Sequence, residues 1–141
     1  MLVRYCAGGV VFYNNKVFLL KNEKGEWVLP KGVIRKGDFS SEVAIRRVNE
    51  EAGINAEIVT TAGCTNYEFF SVTRQRPVCN KITWYIMRSQ SEDYKINTDE
   101  QFTDGGFFEI DDAIRRITYS QDKSLVNLSF KKIKEIECIT V

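Results

Sequence analysis

The chain has 141 residues, of which 43% are hydrophobic and 28% charged. That size and mix suit one soluble domain spanning 1–141 that can bury a core without disulfides or a metal staple. The formal net charge of +1 and the interspersed signs give no strong nucleic-acid signal and no membrane-surface signal. The chain contains no histidine, and Cys6, Cys64, Cys79 and Cys138 are isolated from one another. A Cys/His zinc site and Ser-His or Cys-His catalysis are therefore excluded, and acid–base work falls to carboxylates, Lys, Tyr or Cys. Isolated cysteines fit a reducing, cytoplasmic compartment. The N-terminal segment has neither the apolar length of a membrane span nor the layout of a signal peptide.

In chain order, residues 2–13 read as a strand interrupted by Gly8-Gly9. Asn14-Asn15 signals a tight turn into a second strand at 16–21. A short apolar piece, Trp27-Val28-Leu29, ends at Pro30. Residues 39–52 form a helix at roughly 100° per residue. Its expected core face is Ala44, Ile45, Val48 and Ala52, with Arg47, Glu50 and Glu51 turned away. Asp38 is the expected N-cap and Gly53 the residue after the C-terminal end. Strands are expected at 56–61, 65–73 and 81–88, with residues 74–80, including Pro77, as a loop. A short strand follows at 106–110, then a helix at 111–117 capped by Asp111. A last helix over about 123–136 carries Leu125, Leu128, Ile133 and Ile136 as its apolar stripe. This order predicts an α/β fold with a mixed β-sheet packed between helices.

Residues 32–54 read GVIRKGDFSSEVAIRRVNEEAGI. The segment resembles the Nudix box of MutT-like hydrolases, G-x5-E-x7-R-E-U-x-E-E-x-G-U, with U a bulky aliphatic. Gly32, Arg46, Val48, Glu50, Glu51, Gly53 and Ile54 match it, and Asp38 and Arg47 depart from it. The lead-in Trp27-Val28-Leu29-Pro30-Lys31-Gly32, the Gly8-Gly9 strand and the Phe107-Phe108 strand before Asp111-Asp112 extend the likeness over most of the chain. The resemblance implies a Nudix α/β/α sandwich and a pyrophosphatase-type hydrolase, dependent on Mg²⁺ (or Mn²⁺). The implied substrate is a nucleotide: a nucleoside diphosphate linked to another group, including the dinucleoside polyphosphate type. It also implies Glu50 and Glu51 as metal ligands and catalytic groups, with Gly32 and an outside acid, Glu100 beside Asp99, completing the shell. The physics is that hard cations take carboxylate oxygens and neutralise a diphosphate that would otherwise repel an attacking water.

Asp38 keeps the charge of the usual Glu with a shorter reach. Arg47 reverses the charge at the position where the box has a Glu, so Glu51 loses its i−4 acidic partner. Arg47 has three readings: a salt bridge to Glu51, a substitute for part of the metal's charge, or a clamp on a phosphate oxygen. Lys31, Arg4 and Lys21 are candidate substrate contacts. Tyr67, Phe69 and Phe70 are candidates for stacking on a base, set against the ordinary role of strand aromatics as core. A different class of function stays open, a Nudix-fold nucleotide-binding or regulatory module with impaired catalysis. An RNA-binding or decapping role finds little support in the charge. Partner subunits can set specificity in this fold, and a homodimer is one arrangement open to it.

Overall fold

The computed structural model describes residues 1–139. Its central strand is β1 (Leu2–Tyr13), which ends at a turn where Asn14 has φ 52, the left-handed conformation such tight hairpins need. The turn leads into β2 (Lys16–Asn22), and β3 (Trp27–Val28) and β4 (Lys31–Val33) are short. Helix α1 (Ser40–Ala52) follows, then β5 (Ala56–Ser71) and β6 (Arg76–Ser89), a 3-10 turn at Thr98–Glu100, β7 (Phe102–Glu109), α2 (Ile110–Arg116) and α3 (Ser120–Ile139).

β1 pairs in parallel with β6 from Leu2↔Val78 to Phe12↔Arg88. On its other side it takes β4 at Cys6–Gly8 and β2 at Phe12–Tyr13, both antiparallel. β2 leaves β1 after the turn and continues along β7. The sheet therefore divides, with β4 paired to β1 in the gap between its two parts. The alternation of side chains assigns two cores. Ala7, Val11, Phe18 and Leu20 face α1, packing on Val43, Ala44, Val48 and Ala52. Val10, Phe12, Val17, Leu19, Trp84 and Ile86 face Ala113, Leu125, Val126 and Ile133 of α2 and α3. This is the expected α/β fold: a mixed β-sheet packed between helices.

The structure corrects several local expectations. Ile45 is 39% exposed, and its place on the inner face of α1 is taken by Val43 and by the charged Glu51. Asp38 does not cap α1; Phe39 holds the N-cap position without a side-chain bond, and Asp38 instead accepts from Arg46 at 3.4 Å. Gly53 ends the helix in the left-handed conformation, as expected. The expected strands at 56–61 and 65–73 are one strand, because the ladder to β6 absorbs the weak Ala62-Gly63-Cys64 stretch through two register shifts. β6 begins at Arg76, so Pro77 lies in a strand and not in a loop; it stands opposite Phe70 near the strand's start, where a missing N–H is tolerated. β7 begins at Phe102, and α2 is preceded by Glu109 and not capped by Asp111. α3 is longer than expected at both ends, and Leu128 is 65% exposed on its outer side. Among the described residues no helix is long and apolar enough to cross a membrane, and all four cysteines are free.

Candidate functional site

Arg47, Glu50 and Glu51 lie on the last turns of α1, beside β4. The Arg47 guanidinium donates from Nη1 to Glu50 Oε2 at 2.8 Å, and from Nη2 to Glu51 Oε2 at 2.8 Å and Glu100 Oε2 at 3.0 Å. Glu100 is brought there by the chain after β6. The main-chain N–H groups of Lys95 and Asn97 donate to the carbonyls of Ala52 and Glu51. The Asn97 side chain donates to the Glu50 carbonyl and accepts from Asp99 N. This segment satisfies the open carbonyls at the end of α1 and ends in the 3-10 turn that carries Glu100. The stem of Arg47 runs across Gly32, where a Cβ would stand 2.5 Å from Arg47 Cγ and 2.6 Å from Cδ. A side chain at position 32 would therefore displace Arg47.

The electrostatics are uneven, with three carboxylates sharing one guanidinium. Burial works against the charge of Arg47, yet the hydrogen bonds it donates to Glu100 and Glu51 outweigh that and its pKa is raised. Glu51 receives only part of that compensation. It is 3% exposed, and its Oε1 is buried without a hydrogen-bond partner, as is Arg47 Nε. Burial pushes Glu51 up to about 7, against the opposing pull of Arg47 and Lys31. A raised carboxyl pKa favours the folded state while the group is protonated. That contribution is complete below the unfolded value of 4.5 and is lost as pH rises through about 7. The melting temperature in EDTA should accordingly fall between those limits, and Glu51→Gln should flatten the fall. An unchanged slope in the variant would show that other groups set it.

Glu51 and Lys31 face a cavity of about 420 Å³ between the sheet and the start of α3. Glu26, Tyr67, Phe69, Asn80, Trp84, Tyr119 and Asp122 line its other walls. The candidates from the sequence divide accordingly. Lys31 and Glu51 line the cleft, as do Tyr67, Phe69 and Phe70. Glu50 and Glu100 join the site through Arg47. Arg4 reaches its aromatic end, its guanidinium 5.9 Å over the Phe69 ring and its Nε donating to Asn80 Oδ1 at 3.0 Å. Lys21 stands apart, its Nζ 5.9 Å over the Trp27 ring. Glu26, Tyr119 and Asp122 were not among the sequence candidates. Glu26 and Tyr119 meet across 93 positions, and an Asp in the first turn of a helix reads as ordinary capping. No local pattern marks them.

The three acids converge on Arg47. Among the described residues no group of three or more Asp, Glu or Cys side chains is arranged to hold a metal ion. With the guanidinium in that position the acids do not fit a divalent cation, because their nearest oxygens are already committed to it.

A mixed sheet between helices, with an acid-bearing helix beside a cleft, places the chain in the α/β class. The NUDIX domain model matches residues 4–128, and the chain belongs to that family. It is a family of pyrophosphohydrolases acting on nucleoside diphosphate derivatives, generally with divalent metal ions. The chain is 28% identical to the putative mutator protein MutT4 of Mycobacterium tuberculosis (strain CDC 1551 / Oshkosh) over 111 residues, covering 79% of this chain and 44% of that protein. It is 32% identical to the RNA pyrophosphohydrolase of Ruthia magnifica subsp. Calyptogena magnifica over 107 residues, 66% of this chain and 60% of the other. It thus spans less than two thirds of either curated relative. The C. elegans Ap4A hydrolase, solved as a binary complex, shares the fold at a TM-score of 0.69 and 20% identity, with 94% of this chain and 98% of that one covered.

Proposed function

We propose that the chain is a hydrolase of a nucleoside diphosphate linked to another group, with its metal-dependent turnover held low by Arg47. The observation that carries this reading is the position of Arg47, bound to three carboxylates at the edge of a cleft that Glu51 and Lys31 enter. The ammonium of Lys31 suits an anionic diphosphate, and the Tyr67–Phe69 end suits the nucleoside. Hydrolysis needs an ionised carboxylate to orient or deprotonate water, and Glu51 is the buried acid placed to do so. Mg²⁺ or Mn²⁺ would supply charge neutralisation, and in this chain it has to compete with Arg47 for the same oxygens.

The same observation favours a second reading, a nucleotide-binding module in which Arg47 has replaced catalysis. The two separate on one panel: ADP-ribose, diadenosine tetraphosphate and a 5′-triphosphorylated RNA oligonucleotide, titrated calorimetrically and assayed for phosphate or nucleotide release against Mg²⁺ and Mn²⁺. Slow turnover that rises into the millimolar metal range supports the hydrolase. Binding without release supports the module. If neither binding nor release occurs with any compound, both readings fail.

A further inference from the structure

The aromatic end of the cleft is crossed by a chain of hydrogen bonds. Tyr119 Oη donates to Glu26 Oε2 at 2.5 Å, and Asn22 Nδ2 donates to Glu26 Oε1 at 3.0 Å. The Tyr119 and Tyr67 hydroxyls are 3.0 Å apart. The proton positions follow by counting. A hydroxyl has one proton, and that of Tyr119 is committed to Glu26. Tyr119 can therefore only accept from Tyr67, so Tyr67 must donate to it. Both hydroxyls then turn only lone pairs toward the cavity. The pKa directions agree with this order. Burial and the bond to Glu26 raise Tyr119, and the bond from Tyr119 lowers Glu26.

Asp122 adds a carboxyl to the same wall, its pKa raised by burial. On the floor, Asn80 Oδ1 accepts from Arg4 Nε, which leaves the Asn80 amide N–H₂ as the donor on that side. The Tyr67 and Phe69 rings are stacked at 5.4 Å and 24°, and Tyr119 meets Tyr67 edge-on at 5.0 Å.

We propose that this end of the cleft selects a nucleobase bearing an exocyclic amine over one without it, because Tyr67, Tyr119 and Glu26 present acceptors to the ligand. The proposal rests on the nucleotide reading above and names its substrate class. A wall of acceptors is satisfied only by N–H donors. A base that turns a carbonyl or a bare C–H to it leaves buried acceptors unpaired, and sites of this kind reject such analogues.

The test is calorimetric titration of the full chain with ADP, GDP and purine riboside 5′-diphosphate. All three share the purine frame, ribose and diphosphate, and the last has neither an exocyclic amine nor a ring N–H. ADP or GDP should bind at least tenfold more tightly than the purine riboside compound. Tyr119→Phe breaks the chain and releases the Tyr67 proton to face the ligand, so that ratio should fall below threefold. Tyr67→Phe removes one acceptor outright, so the ratio should fall there too if Tyr119→Phe is poorly folded. The ratio is the readout, since a purely structural role of either tyrosine would weaken all three ligands together. Equal binding of the three to the wild-type chain overturns the proposal and leaves the nucleotide reading intact. Retention of the tenfold ratio in both variants also overturns it. No binding of any of the three overturns the proposal, and the nucleotide reading is decided separately by the panel above.

Discussion

Replacing Arg47 by Glu should raise Mg²⁺ affinity at least tenfold and raise turnover of a diphosphate substrate with it. The change removes a cation that contacts Glu50, Glu51 and Glu100 at 2.8–3.0 Å and puts a carboxylate in its place. A charge pair at such distances is worth about 4 kcal/mol at an effective dielectric near 20. Solvent reduces that here, because the Glu50 and Glu100 side chains are 42% and 37% exposed. A tenfold gain needs only about 1.4 kcal/mol. Stability should move in two directions. In EDTA the variant should melt below wild type, since Glu51 loses its partner; breaking a fully buried pair costs about 3–5 kcal/mol, and this half-open cluster less. Added Mg²⁺ should recover the variant's melting temperature and leave that of wild type nearly unmoved, because only a bound ion stabilises. If Arg47 instead clamps a phosphate, nucleotide affinity and native activity fall together. Unchanged metal affinity, rate and melting temperature would reduce Arg47 to a surface ion pair.

The box helix, the hairpin at Asn14-Asn15 and the layered order were legible because each rests on a local signal: a 3.6-residue period, a turn pair, alternating aliphatics. The exchange of Ile45 for Glu51 on the inner face was not. Apolar periodicity cannot assign a carboxylate to the interior, and Glu51 is inside because Arg47 and the cleft receive it. Glu100 could be named from the resemblance, but its approach to Arg47 depends on Lys95 and Asn97 docking on the end of α1, a contact across some fifty positions. The Glu26–Tyr119–Tyr67 chain joins a β2–β3 turn, the start of α3 and the edge strand β5, three places with no shared pattern. What the residues encode locally is the scaffold and the acids; the walls of the cleft arise only when distant segments meet.

Gly8→Ala should be the most damaging single methyl that can be added to β1. A Cβ there would stand 2.5 Å from the Pro30 carbonyl oxygen, 2.5 Å from Trp84 Cζ3 and 2.8 Å from Lys31 Cβ. None of the three can yield cheaply. The Pro30 carbonyl accepts from Gly9 N at 3.1 Å, and Lys31 is Gly8's partner in the β1–β4 ladder. Trp84 is 1% exposed and its Nε1 is held to Thr65 Oγ1 at 2.8 Å. Overpacking of a tight core costs roughly 1–3 kcal/mol, and the double collision with backbone and indole places this case at about 3. For a chain of this length that corresponds to a fall in melting temperature on the order of 10 °C. The loss should reach function at temperatures where the variant is still folded. β4 can relieve the clash only by moving away from β1, which carries Lys31 and Gly32 out from under the cleft and Arg47. Nucleotide affinity should therefore drop more than the folded fraction does, measured by calorimetry well below the melting point. A variant within 2 °C of wild type, with unchanged affinity, would mean that β1 and β4 have room between them that the close approach at Gly8 denies.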